Sequence, residues 1–140
     1  MRQKLVLTVP KRLESPNASR GGHWRVRHRI TQDWEKALGW ARVTALAPPE
    51  NCLATGKVKV TVERHVPSGR NFIRDDDNLM FATKPVRDAL KRLGYIKGDS
   101  RVWLEHPLPT QHVSDDGKDW TIVTIEPVRS QDGLAQVEGR

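Results

Sequence analysis

Segment 57–64 constrains the fold more than any other part of the chain. Val58, Val60 and Val62 alternate there with Lys57, Lys59, Thr61 and Glu63. A strict period of two buries one face of a strand and wets the other. Such a strand needs a sheet covered on one side, so the remaining sequence must supply both partner strands and a covering layer. Residues 4–9, Lys-Leu-Val-Leu-Thr-Val, alternate in the same way and stop at Pro10, which predicts a first strand. Segments 101–105 and 119–126 predict two more, joined by a Pro- and Asp-rich loop in which Asp115-Asp116-Gly117 marks a hairpin turn.

The covering layer is legible as two helices. Over 31–46, Trp34, Ala37, Leu38, Ala41 and Ala45 recur at helical spacing, with Thr31 as N-cap, Asp33 and Glu35 near the positive end, and Pro48-Pro49 as the stop. A second helix carries Leu79, Ala82, Val86, Ala89, Leu90 and Leu93, with Lys91 and Arg92 near its negative end and Gly94 just beyond it. Pro85 interrupts it. An interior proline costs about 3 kcal/mol, so a kink or a true start near Thr83 is expected. The order β-α-β-α-β-β, without internal repeat, predicts a single α+β domain over residues 1–126, a mixed sheet with both helices packed on one face. Residues 127–140 have the composition of a flexible tail.

Size and charge narrow the classes of function. A chain of 140 residues supports one hydrophobic core. Cys52 is the single cysteine, which excludes an internal disulfide and any multi-cysteine metal site and points to a reducing compartment. No apolar run approaches the roughly 20 residues that cross a bilayer, and Met1-Arg2-Gln3-Lys4 leads into a short alternating segment rather than a signal-peptide core. A soluble cytoplasmic protein, with no membrane partner, is the expectation. The net charge of +7, from 24 Lys and Arg against 17 Asp and Glu, points to a polyanionic partner, nucleic acid foremost.

Much of that charge lies between Lys11 and Arg29, where Arg12, Arg20, Arg25, Arg27 and Arg29 surround Gly21-Gly22, as in a mobile arm that grips phosphate. Arg70 extends it into the loop 65–73, and Arg74 follows directly after that loop. Trp24, Trp34 and Trp40 are expected to pack, and Phe72, in that basic loop, to stack on an unpaired base. His23, His28 and His65 are expected as partly exposed basic-face residues, without a paired spacing or local carboxylate to single them out.

The most informative stretch is Arg74-Asp75-Asp76-Asp77-Asn78. Adjacent carboxylates repel and need either a cation or full solvation. Hard oxygen ligands suit Mg²⁺ or Mn²⁺, which hold one or two carboxylates, several waters and a substrate phosphate. In an extended segment Asp75 and Asp77 fall on one side and Asp76 on the other, and a helix returning along the sheet can bring Asp99 back to them. A calcium loop of the EF-hand kind does not fit, because Leu79 stands at a ligand position and the required glycine is missing.

Asp75-x-Asp77-Asn78, then Lys84, Asp88-Ala89-Leu90, Gly94 and Asp99, resemble the signature of the RusA family of Holliday-junction resolvases. The core of the likeness is residues 74–105. More loosely, a strand, the segment around Ser15-Pro16-Asn17 and a helix precede it. The lysine follows Asn78 at a longer spacing than in the shorter form of the family, and Gly98 stands where an acidic residue often precedes the last aspartate. The resemblance implies an Mg²⁺- or Mn²⁺-dependent endodeoxyribonuclease, phage or prophage in type, that resolves four-way junctions in DNA recombination and repair. It implies Asp75, Asp77 and Asp99 as metal ligands, Lys84 in support of cleavage, and a homodimer whose two-fold symmetry matches that of the junction. The basic residues Arg25, Arg27, Arg29, Arg70 and Arg74, with Phe72, are then expected to bind the DNA. A flap or branched-DNA nuclease, and a non-catalytic DNA-binding protein of the same fold, are the alternatives.

Overall fold

A computed structural model describes residues 3–15 and 24–128. The elements run β1 (Leu5–Val9), α1 (Trp24–Thr44), α2 (Pro49–Cys52), β2 (Val58–Val66), α3 (Asp76–Ala82), α4 (Lys84–Leu93), β3 (Leu104–Glu105), β4 (Thr110–Val113) and β5 (Trp120–Pro127). The sheet is mixed. β5 lies between β1 and β2 and is antiparallel to both, while β3 and β4 pair parallel to successive stretches of the other edge of β2.

Alternation decides which face is covered. Leu5, Leu7 and Val9 of β1, Val58, Val60 and Val62 of β2, and Val123 and Ile125 of β5 are buried together with Trp34, Leu38 and Ala41 of α1 and Val86, Ala89 and Leu90 of α4. The single-domain α+β architecture with helices on a mixed sheet is therefore as the pattern predicts. Among the described residues no helix is long and apolar enough to cross a membrane.

Several element bounds differ from expectation. α1 begins at Trp24, so Arg25, Arg27 and Arg29 lie on a helix rather than in a mobile arm, and Thr31 is a buried interior residue rather than an N-cap. No Gly or Pro separates Trp24 from Thr31, and Arg is a good helix former. Arg20, Gly21-Gly22 and His23 lie outside the described residues. The strand expected at 101–105 shrinks to Leu104–Glu105, because Trp103 N and Leu104 N both donate to Ser100 O in a turn.

β4 was not legible, since Thr110-Gln111-His112-Val113 has no buried face to impose a period. The Asp115-Asp116-Gly117 turn, with Gly117 at φ 69°, joins β4 to β5 across β2, which lies between them, so it closes no hairpin. Finally, Pro127 belongs to β5 and Val128 N donates to Lys57 O, so the sheet runs into the expected tail; residues 129–140 lie outside the described residues.

The helix break falls where proline chemistry places it. Thr83 ends α3 and precedes α4, and Pro85 stands in the first turn of α4, where its missing N–H removes no bond. Gly94 closes α4 in the left-handed region at φ 81°, donating to Leu90 O and Lys91 O. A Cβ there would lie 3.1 Å from Leu53 Cδ2. Gly94→Ala is expected to cost about 1–2 kcal/mol through the left-handed backbone alone, read from the urea unfolding midpoint.

Candidate metal and nucleic-acid site

The acidic segment is held from below by a buried arginine. Arg64 occupies a core-facing position of β2 and is 3% exposed. Its Nε donates to Leu13 O at 2.7 Å, and its Nη1 donates to Asn71 O at 2.7 Å and to Gln111 Oε1 at 3.0 Å. Burial, reinforced by Arg12, lowers its pKa from the ordinary guanidinium value. Gln111 in turn treats Ile73 as a strand neighbour would: its Oε1 accepts from Ile73 N at 2.9 Å and its Nε2 donates to Ile73 O at 2.8 Å. These bonds fix the path of residues 71–73, two positions ahead of Asp75.

Asp75 then caps α3. Its Oδ1 accepts from Asp77 N at 2.8 Å and from Asn78 N at 3.2 Å, which satisfies two of the orphan donors of the first turn. Asp76 and Asp77 form that first turn, and all three aspartates are exposed. Strand alternation is thus not what relates Asp75 to Asp77, contrary to expectation. A helix cap does so, and it leaves Asp75 Oδ2 outside the capping bonds. The positive end of the helix offsets the carboxylate charge. Beside the cap lies a cleft of about 420 Å³ lined by Arg12, Arg64, Phe72, Arg74, Asp75 and Asn78.

Lys84 and Asp99 form a second charged group, at the far end of α3. Lys84 Nζ lies 3.0 Å from Asp88 Oδ1 and 3.7 Å from Asp99 Oδ2. The preceding Thr83 is pinned to the sheet through His106, whose Nε2 lies 3.0 Å from Thr83 Oγ1 and whose Nδ1 donates to Val60 O at 3.0 Å. Burial pushes the His106 imidazole below its ordinary pKa. The structure therefore joins Asp99 to Lys84, and Asp75 to the head of α3. The oxygens of Asp75, Asp77 and Asp99 are not all within 4.8 Å of one another. Among the described residues the trio that meets this spacing is Glu63, His65 and His112.

The expected DNA contacts divide between two places. Arg70 and Arg74 are exposed on the loop that leads to the cap, and Phe72 between them is half-buried rather than free to project. Arg25, Arg27 and Arg29 are exposed on the first turns of α1. Helical spacing puts Arg25 and Arg29 on one face and Arg27 away from them. Arg27 lines a larger cleft, about 820 Å³, with Trp24, His28, Phe81, Lys84 and Lys91. Trp24 and Phe81 are 59% and 60% exposed, and Trp40 is 70% exposed, so of the three tryptophans expected to pack Trp34 is the one that is buried.

Sequence reasoning missed Arg64 and Gln111, which position the acidic segment, and the Glu63–His65–His112 trio. The signal for the trio lay in Glu63 and His65, two apart on one strand face, but it was hidden by ending the strand at 64; β2 continues to Val66. No family model matches the chain. It is similar to an uncharacterized protein of Xylella fastidiosa (strain Temecula1 / ATCC 700964), 29% identical over 133 residues that cover 92% of this chain and 79% of that protein.

Proposed function

We propose that the protein is a divalent-metal-dependent endonuclease for branched DNA, four-way junctions foremost, with its metal ligands on the capped head of α3. The supporting observation is that exposed carboxylates stand on a segment clamped by Arg64 and Gln111 and flanked by arginines. The donor set fits a hard ion: Asp75 Oδ2 lies outside the cap, Asp77 is exposed, and Mg²⁺ or Mn²⁺ needs only one or two protein carboxylates besides water and phosphate. Such an ion, when bound, supplies Lewis-acid activation of water and of the scissile phosphate.

The chain's own residues do the rest. Arg74, which lines the cleft, and Arg70, exposed on the loop that leads to it, hold the phosphates. Lys84, at the opposite end of α3 from the cap, exchanges Asp88 and Asp99 for a neighbouring phosphate of the junction. A homodimer would present two such sites to the two strands of like polarity that resolution must cut. A non-catalytic DNA-binding protein is the second reading, favoured by the pairing of Asp99 with Lys84 in place of the other aspartates.

The test is incubation with a synthetic four-way junction, a flap and a plain duplex, with Mg²⁺ or with chelator. Mg²⁺-dependent paired nicks in the junction are expected. Preference for the flap would redirect the reading to flap cleavage, and binding without nicking would redirect it to the non-catalytic one. Affinity should rest on phosphate contacts. Replacing Arg25 and Arg29 with Ala together should lower the log–log salt slope of binding by about 2 units, at about 0.9 per phosphate contact, as read by fluorescence anisotropy. An unchanged slope would remove α1 from the DNA interface.

A further inference from the structure

We propose that Glu63, His65 and His112 bind a borderline divalent transition-metal ion, Zn²⁺ foremost, on the uncovered face of the sheet, separate from the carboxylates of α3. Three independent features of the fold bring the ligands together. Alternation along β2 sends Val62, Arg64 and Val66 to the core, so Glu63 and His65 share the opposite face. Parallel pairing sets His112 of β4 directly beside His65. The two imidazoles stack with centroids 4.7 Å apart and planes 18° apart, and Glu63 Oε1 accepts from His65 Nε2 at 3.0 Å.

Each residue offers one ligand atom, and the three atoms lie within 4.8 Å of one another. Zn–N and Zn–O bonds of about 2.0–2.2 Å require a spacing somewhat shorter than that, within reach of small side-chain rotations on a half-exposed surface. Two imidazoles and one carboxylate select Zn²⁺, Ni²⁺ or Co²⁺ over Mg²⁺, which prefers oxygen alone. A fourth position stays open to water. The Thr110 hydroxyl, 2.8 Å from His112 Nε2, supplies the polar partner that orients that ring.

The site also has a mechanical consequence. Residue 111 lies between Thr110 and His112 on β4, so its side chain turns to the other side of the strand, where Gln111 clamps Ile73. An ion held by His65 and His112 clips β4 to β2 at the register that this clamp depends on. Metal binding is thereby linked to the stability of the loop ahead of Asp75.

The experiment uses the full, untagged chain. Co²⁺ titration should give the visible d–d absorbance of a tetrahedral nitrogen- and oxygen-ligated ion at one equivalent, and Zn²⁺ should displace it and raise Tm. His112→Ala and Glu63→Gln should each weaken Zn²⁺ by more than about tenfold, a loss beyond the lower end of what an outer-shell partner costs. Glu63→Gln conserves shape, so it keeps the test decisive if His112→Ala disturbs β4. Asp75→Asn combined with Asp77→Asn should leave Zn²⁺ affinity unchanged, which separates this site from the proposed nuclease centre whichever of the two fails. Absence of the Co²⁺ spectrum, affinity unaltered by both trio variants, or affinity lost in the aspartate variant would each overturn the proposal.

Discussion

Asp77→Asn is expected to lower Mg²⁺-dependent cleavage of a four-way junction by at least about 100-fold, the scale on which even outer-shell metal partners act. The fold should survive. The cap bond at this position uses the backbone N–H of Asp77, not its carboxylate, so the substitution leaves the Asp75 bonds in place. Junction binding should hold or tighten, because a negative charge facing the DNA is removed. Asp75→Asn should behave alike, since Asn caps a helix nearly as well as Asp while offering a poorer metal ligand. Single-turnover cleavage, anisotropy and thermal melting on the same preparations separate the three effects. An Asp77→Asn protein that still cleaves with Mg²⁺ would take the metal site away from the head of α3.

Arg64→Ala should destabilise the protein by about 3–5 kcal/mol, read from urea unfolding. The guanidinium serves Leu13 O, Asn71 O and Gln111 Oε1 at once, and its loss leaves those acceptors without their charged donor beside a vacated volume. Arg64→Lys should recover only part of this, because an ammonium lacks the planar fork that spans acceptors contributed by residues 13, 71 and 111. A loss under about 1 kcal/mol for Arg64→Ala would mean that the loop ahead of Asp75 is held by something other than this clamp.

The legible part of the fold was the part with a period. β1, β2 and β5 alternate because one face meets the helices, and α4 shows its stripe through Val86, Ala89 and Leu90 for the same reason. β3 and β4 were obscured because a two-residue strand and an exposed edge strand bury too little to leave a pattern. The start of α1 was misplaced because a run of arginines reads equally as a solvated arm or a solvated helix. At the site, Asp75, Asp77, Lys84 and Asp99 stood out by residue type and spacing, but what each touches depends on tertiary pairing. That pairing assigned Asp75 to a helix cap and Asp99 to Lys84. Arg64 carried no warning at all, since an arginine at a core-facing strand position reads as an error in the alternation until its three acceptors are known.

The claim that the head of α3 holds a hard divalent ion is tested most directly by paramagnetic broadening of amide resonances. Substoichiometric Mn²⁺ is added to uniformly ¹⁵N-labelled protein carrying Glu63→Gln, which disables the other proposed site. Broadening that is strongest at Arg74 through Asn78 is the result expected. Broadening centred away from the head of α3, or none until Mn²⁺ far exceeds the protein, would contradict it.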